Sequence, residues 1–265
     1  MITRRQLRDI HGEGLPLHVL ELDYIESLAL KWIFARTDLL AFKGGTCLRK
    51  AHGLNRYSED LDFAAVGKAT AGDVRGAVEQ AVSGLERTGI PAEVVEWKER
   101  PFAYMCRLSY EGPLFTGERA SRGTMDVEIS KLRPAAPLEW LTVVTDYPDA
   151  GTFSLQSVSL SEMLAEKFRA VRQRKKPRDL YDIWWLAKKG ASTDLAAVNK
   201  KLAEVGAADA GSLAGIVEDY PVGEAVWKRD LSPLMTRVPK FDGLLREVKL
   251  AAAEWDARSK ETAIR

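Results

Sequence analysis

The sequence is poor in the residues that build covalent or metal-based scaffolds. Its 265 residues include only two cysteines and three histidines. Cys47 and Cys106 lie in unrelated contexts, which excludes a disulfide framework and zinc-type spacing. Three histidines also argue against a histidine-based metal site. An apolar fraction of 46% is nevertheless ample for an ordinary globular core.

Long apolar runs and a strong net charge are lacking too. No run approaches the length that spans a bilayer, and the opening MITRRQLRDIHGEG has no apolar segment of a secretory signal. A net charge of +1 argues against a chain that binds polyanions as a whole, but it allows a local basic patch. We therefore expect a cytoplasmic enzyme or binding protein with no membrane partner.

The periodicity of apolar residues divides the chain into two parts. Up to about residue 150, helical patterns alternate with extended ones, which predicts a mixed sheet with helices against it. From about Ser159 the patterns are helical and are separated by short turns with Pro or Gly. The predicted fold class is α+β, with an α/β domain at 1–152 and an all-helical domain at 153–265.

One short stretch, FKGGTCLRKAHGLNRYSEDLDFAA (42–65), carries the first functional signal. An apolar strand runs into Gly44 and Gly45, and a helix with Thr46 near its start follows. Such a turn presents free backbone N–H groups at the positive end of a helix, which suits a phosphate group. Alone, the pattern is more typical of a tight turn with an N-cap.

Acidic residues just downstream favour the phosphate interpretation. Asp60 and Asp62 alternate, so on a strand they share one face, with Ser58 in the same phase. Two carboxylates about 5 Å apart repel by about 3 kcal/mol at an effective dielectric near 20. A divalent cation reverses that sign, and Mg²⁺ prefers carboxylates together with substrate phosphates. A solvated strand face remains the alternative for an isolated Asp-x-Asp pattern.

A third carboxylate for Mg²⁺ is expected from a neighbouring strand. The segment TMDVEIS places Asp126 and Glu128 in one phase and three apolar residues in the other. Glu128 is our first choice and Asp126 the reserve, because periodicity does not separate them.

Two separated motifs resemble a known family. FKGGTCLRK with RYSEDLDF is similar to the Gly-Gly and Asp-x-Asp pattern of nucleotidyltransferases, and more closely to the AbiEii/AbiGii toxins of type IV toxin–antitoxin systems. SLSEMLAEKFRAVRQRKKPRDLYDIWWL is similar to the later motifs of the same family, a helical lysine followed by Arg-Asp-x-x-Asp. The order of elements between the two motifs also fits.

The resemblance implies a role for each matching residue. Gly45 and Thr46 become the phosphate-side turn, and Ser58 lies beside the metal ligands Asp60 and Asp62. Lys167 and Asp182 take the places of the family's functional lysine and second-domain aspartate, and Arg178 belongs to the same motif. It further implies an active site completed by the helical domain, an NTP substrate and a cognate antitoxin.

The residues alone leave the second motif open. Arg178 and Asp182 are one helical turn apart and could form an ordinary surface pair, with Asp179 merely favourable near a helix N-terminus. The basic run from Lys167 to Arg178 is either a solvated helix face or a contact for triphosphate and RNA backbone.

The resulting hypothesis is a Mg²⁺-dependent transfer of NMP from an NTP to an acceptor. Some members of the resembled family modify the 3′ end of tRNA, so tRNA is the expected acceptor. Modification of a protein (the enzyme itself or its antitoxin), or RNA binding without catalysis, are the alternatives. A phosphohydrolase of the Asp-x-Asp type is disfavoured, because GLNRYSED is not the apolar strand that should precede its first aspartate.

Overall fold

The computed structural model describes residues 1–11, 14–135, 137–218 and 220–264. It forms two compact units, Met1–Val158 and Ser159–Arg265. The first unit is α/β and the second is helical, so the α+β prediction is confirmed. The units divide after Val158, where the strand Thr152–Val158 ends.

The first unit contains seven strands and four helices. Its strands are β1 (Leu40–Lys43), β2 (Asp60–Ala65), β3 (Ala92–Glu99), β4 (Ala103–Tyr110), β5 (Gly123–Ser130), β6 (Leu138–Val144) and β7 (Thr152–Val158). Its helices are α1 (Arg4–His11), α2 (Leu17–Phe34), α3 (Gly44–His52) and α4 (Ala71–Arg87). A short 3-10 turn spans Arg119–Ser121.

All seven strands join in one mixed sheet of order β3-β4-β5-β2-β1-β7-β6. The pairs β1/β7 and β2/β5 are parallel, and the other pairs are antiparallel. Helices α2 and α4 pack against each other and against strands of this sheet. The apolar side chains Phe42, Phe63 and Ile129 are fully buried, which places the core on one sheet face.

Two strands, β6 and β7, were not predicted. They pair with each other as an antiparallel hairpin, whose connection contains the segment DYPDAG. This segment indicated a linker in the sequence because Pro, Gly and Asp are typical of turns in both settings. The parallel pairing of β7 with β1 joins residues more than a hundred positions apart, which local periodicity does not reveal.

The second unit is built from six helices: α5 (Leu160–Arg174), α6 (Pro177–Lys188), α7 (Leu195–Ala203), α8 (Leu213–Glu218), α9 (Glu224–Leu231) and α10 (Phe241–Ile264). Ser159 caps α5 by accepting a hydrogen bond from the backbone N–H of Glu162. Pro177 opens α6 at the position where its missing N–H costs nothing, as predicted. The short helices α8 and α9 were not predicted.

Helices long and apolar enough to cross a membrane are not found among the residues that the structure describes.

Candidate active site

The two predicted aspartates lie on β2 with their side chains on one face of the sheet. Leu61 and Phe63, which alternate with them, are fully buried on the other face. The parallel neighbour β5 is in register, so that Asp60 pairs with Asp126 and Asp62 pairs with Glu128. Residues opposite each other on paired strands share a face. All four carboxylates therefore lie on one side of the sheet, which we call the carboxylate face.

The side-chain contacts distinguish the two candidates for the third carboxylate. Asp126 is held by Arg107 of β4, whose Nε and Nη2 donate to its two oxygens at 2.6 and 2.8 Å. This bidentate pairing occupies the Asp126 carboxylate. Glu128 is exposed next to Asp62. Among the residues that the structure describes, none forms with Glu128 an ion pair like that between Arg107 and Asp126. The geometry favours Glu128 over Asp126.

The glycines bring the first turn of α3 against the carboxylate face. Gly44 has φ of 76°, a left-handed conformation that favours glycine. A Cβ atom on Gly44 would overlap the Asp62 carboxylate, so the absence of a side chain lets that carboxylate pack against the first turn of α3. A Cβ on Gly45 would come within 2.6 Å of the Arg56 guanidinium and 2.7 Å of the Ser58 hydroxyl. Both glycines are therefore required by close packing.

Helix α3 begins two residues earlier than predicted, at Gly44 rather than near Thr46. Its first-turn N–H groups consequently belong to Gly44, Gly45 and Thr46. The buried hydroxyl of Thr46 donates to the backbone carbonyl of Asp60 at 2.6 Å. Thr46 thus ties the start of α3 to the start of β2, and its contribution to phosphate binding would come from its backbone N–H.

Arg56 is a site residue that the sequence did not single out. It is only 1% exposed, its guanidinium lies against Gly45, and its Nη1 donates to the carbonyl of Tyr57 at 2.9 Å. Ser58, two residues on, is also buried. The available signal was an arginine between Asn55 and Tyr57 just before Ser-x-Asp-x-Asp, a position where a solvated arginine was the simpler expectation.

The oxygen-rich carboxylate face suits a hard cation such as Mg²⁺ in its donor chemistry. Asp60 and Asp62 alternate on one strand, Glu128 is in register with Asp62, and the Asp62 carboxylate packs directly against Gly44 at the start of α3. Within the described residues, no three His, Cys, Asp or Glu side chains are gathered closely enough to hold a metal ion. The ligands that fit are therefore the Asp60 and Asp62 pair, with Glu128 as a neighbour.

The second motif forms a buried ionic cluster within the helical unit. Lys167 of α5 places its Nζ 2.6 Å from Asp182 Oδ2 and 3.0 Å from Asp179 Oδ1, both on α6. Arg174 donates two hydrogen bonds to Asp179, at 2.7 and 2.8 Å. Both aspartates are completely buried. We call Lys167, Arg174, Asp179 and Asp182 the buried quartet.

The alternative of an ordinary surface pair at this motif does not hold for Asp182. Asp182 is buried and pairs with Lys167, and Asp179 is not merely a favourable charge at a helix N-terminus. Burial by itself would raise the pKa of the Asp179 carboxyl, but the charges of Lys167 and Arg174 outweigh it and hold that pKa well below its usual range. The three-residue spacing of Asp179 and Asp182 was the sequence signal for a shared helix face.

The cations of the basic run differ in their surroundings. Lys167, which is buried, and Arg174, which is exposed, both pair with buried aspartates of the quartet. Arg172, Lys175 and Lys176 are exposed and lie close before α6 in the sequence. Arg178 is half-buried, and its backbone N–H donates to Asp230 of α9 at 3.4 Å. Arg172, Lys175 and Lys176 are therefore accessible to an anionic partner, while Lys167 and Arg174 balance aspartates.

A second charged cluster lies beneath α3 in the first unit. Asp23 of α2 binds Arg49 and Lys50 at 2.7 Å each and accepts a hydrogen bond from the Tyr147 hydroxyl at 2.6 Å. The cluster borders a cavity of about 300 Å³. Glu26 lies 3.9 Å from Lys50 and is completely buried. Burial raises the pKa of the Glu26 carboxyl well above its ordinary value, although Lys50 acts in the opposite direction.

The sequence matches the model of a known protein family. The model of the nucleotidyl transferase AbiEii toxin family, type IV toxin–antitoxin system, matches residues 31–257. No curated protein matches the sequence.

Two solved structures share the fold. The nucleotidyltransferase toxin MenT4 of Mycobacterium tuberculosis H37Rv has a TM-score of 0.65 and 19% identity over 96% of this chain and 89% of its own. JHP933 of Helicobacter pylori has a TM-score of 0.56 and 19% identity over 94% of this chain and 96% of its own. The family match covers most of the chain and includes both motifs. The chain belongs to the AbiEii family of nucleotidyltransferase toxins of type IV toxin–antitoxin systems.

Proposed function

We propose that this nucleotidyltransferase moves a nucleoside monophosphate from an NTP to RNA, with the 3′ end of tRNA as acceptor and Mg²⁺ as cofactor. One observation carries the proposal: two carboxylates on β2 lie beside a glycine turn that starts a helix. Helix N-termini bind phosphate, and paired carboxylates bind the cation that accompanies it. The family supplies the reaction class.

Each residue then has a defined task. The backbone N–H groups of Gly44, Gly45 and Thr46 bind phosphate oxygens of the NTP. Asp60 and Asp62 hold Mg²⁺, with Glu128 as the third carboxylate. When bound, Mg²⁺ neutralises the charge of the phosphates and stabilises the charge that develops during transfer.

The helical unit serves the same reaction in this proposal. Lys167 and Arg178 bind the triphosphate or its pyrophosphate product, and Asp182 orients the Lys167 ammonium, 2.6 Å away. Asp182 is committed to that ion pair, which favours an orienting role over that of a general base.

The acceptor is proposed from charge. Arg172, Lys175 and Lys176 are exposed, and Lys or Arg side chains that contact phosphates provide an attraction independent of sequence. Selectivity for a 3′ end would come from its unpaired bases. The enzyme would act in the cytoplasm, where NTPs and tRNA are present, and a type IV toxin implies an antitoxin partner.

The test is to incubate the protein with each labelled NTP, Mg²⁺ and total RNA, and to locate the label on RNA or protein. We expect label on tRNA with one preferred NTP, and none without Mg²⁺. Asp60→Asn and Asp62→Asn should abolish labelling while the protein stays folded, and the metal-free melting temperature should hold or rise because a repelling charge is gone.

Label on protein with unmodified tRNA would overturn the RNA acceptor and favour modification of the enzyme or its antitoxin. RNA binding with no label under any condition would favour a non-catalytic role.

A further inference from the structure

We propose that Asp179 and Arg174 are positioning residues that set the charge and direction of the Lys167 ammonium. The proposal rests on the role that we give Lys167 in transfer. Neither Asp179 nor Arg174 was a predicted site residue, and both enter through the distances inside the buried quartet.

The quartet is electrically balanced. Two cations, Lys167 and Arg174, oppose two aspartates that have no exposed surface. A buried carboxylate without a cation is costly, so both aspartates need partners. Arg174 binds Asp179 through two parallel hydrogen bonds, and this pairing fixes the Asp179 carboxylate in direction as well as in charge.

The Lys167 ammonium contacts both aspartates. It touches one oxygen of Asp182 and one of Asp179, and Asp179 Oδ1 also accepts from Arg174 Nη2. Arg174 therefore takes part of the negative charge that would otherwise act on Lys167. When Lys167 turns towards a phosphate, Asp179 still has Arg174 as its partner. The arrangement holds the Lys167 ammonium in a defined direction while Arg174 shares the charge of Asp179.

Arg174 is the member of the quartet that can be substituted with the least effect on packing. Arg174 is half-exposed, with 51% of its side-chain surface accessible, so replacing it disturbs little packing. Other charged or titratable groups near this end of α6 include Lys175, Lys176 and Arg178, together with Asp230, which accepts from the Arg178 N–H, and Tyr220, whose hydroxyl donates to the Lys175 carbonyl. Asp230 stays unchanged in every variant below.

Arg174→Gln and Asp179→Asn shift the charge of the quartet in opposite directions. Arg174→Gln leaves a net negative charge around Lys167, which favours its protonated form. Asp179→Asn leaves a net positive charge, which favours the neutral amine. Acetylation by sulfo-N-hydroxysuccinimide acetate requires the neutral amine, so site-resolved mass spectrometry of Lys167 at fixed pH reports the difference.

We expect Lys167 acetylation to slow about tenfold in Arg174→Gln and to accelerate about tenfold in Asp179→Asn, because the net charge around the amine changes its neutral fraction in opposite directions. Lys201 of α7 is the internal control, because it is a buried lysine of the same unit paired with Glu162 at 2.5 Å. Its acetylation should not change. Arg174→Lys keeps the charge and should retain the wild-type rate at Lys167.

Transfer should fall in both variants through kcat, with a smaller change in the KM for NTP, and Arg174→Lys should recover part of the loss. Lys188→Gln removes an exposed cation of α6 that pairs with Glu247, and should leave transfer unchanged.

If acetylation of Lys167 and of Lys201 is faster in both Arg174→Gln and Asp179→Asn, the packing of the unit has loosened, and the proposal is overturned. Wild-type rates of acetylation and transfer in Arg174→Gln would overturn it as well. If the wild-type protein transfers no nucleotide, the proposed function fails, while the acetylation rates still decide whether the quartet sets the state of Lys167. If Asp179→Asn does not fold, the Lys167 acetylation rates of Arg174→Gln and Arg174→Lys are compared instead, and this comparison tests the proposal.

Discussion

At the scale of single residues, Glu128 and Asp126 are chemically alike and two positions apart, yet their surroundings differ. Asp126 is bound by Arg107 on both oxygens, and Glu128 lies exposed beside Asp62. We expect Glu128→Gln to reduce nucleotide transfer at least about tenfold and to raise the Mg²⁺ concentration needed for half-maximal rate, since one ligand charge is lost. Asp126→Asn is the matched control and should keep both values. A greater loss in Asp126→Asn would exchange the roles of the two residues.

Ionisation of the buried Glu26 carboxyl lowers the stability of the folded protein. Burial raises the pKa of its carboxyl, so this group contributes stability below its unfolded pKa, and that contribution is lost as pH rises through the folded pKa. Glu26→Gln removes the titration. The difference in melting temperature, variant minus wild type, should therefore grow from pH 5 to pH 8, and thermal unfolding at several pH values measures it.

Asp23 provides the contrast of opposite sign. Burial tends to raise the pKa of its carboxyl, but Lys50 and Arg49 lower it well below the ordinary value. Its stabilisation is present above the unfolded pKa and is lost only in acid. Asp23→Asn should therefore destabilise the protein at pH 7.

A melting difference for Glu26→Gln that does not change with pH would contradict the assignment for Glu26.

At the scale of elements, α5 and α6 are joined by charges as well as by apolar packing. Removing Lys167 leaves the Asp182 carboxylate buried without its nearest cation. Lys167→Met should therefore lower the free energy of unfolding by about 3–5 kcal/mol, where an exposed pair would cost less than about 1 kcal/mol. Urea denaturation with constant slope gives this value.

A double variant separates the structural role of this pair from its function. Lys167→Met with Asp182→Leu removes both charges and leaves Arg174 and Asp179 balanced, so most of the lost stability should return. Transfer should not return, because Lys167 and Asp182 are still missing. Activity recovered together with stability would show that the pair only holds α5 against α6.

At the scale of the whole molecule, the charge is nearly balanced, so a local basic surface matters more than the total. Arg172 and Lys175 are exposed near the end of α5. Arg172→Glu with Lys175→Glu should weaken RNA labelling at least about tenfold while the KM for NTP changes little, and added salt should reduce the wild-type rate in the same way.

The matched control reverses the same amount of charge elsewhere. Arg4→Glu with Arg8→Glu changes two exposed arginines of α1, and RNA labelling should stay near the wild-type rate. Equal losses in both double variants would indicate a general effect of net charge, and the local contact with RNA would be rejected.

The sequence by itself determined the elements whose signals are local. Alternation in DLDFAA and TMDVEIS predicted the faces of β2 and β5, since side chains on a strand alternate whatever the fold around them. Pro177 predicted the start of α6, because proline suits the first helical position. Two spaced motifs together indicated the family.

Only the tertiary structure decided which charges meet. Periodicity gave Asp126 and Glu128 the same phase, and the choice between them depends on Arg107, which β4 brings alongside. Arg56 is buried because Gly45 leaves room for its guanidinium. Asp179 became part of the buried quartet because α5 brings Lys167 and Arg174 to it. The energy of an ion pair depends on burial and distance, and both follow from packing between segments that local sequence does not specify.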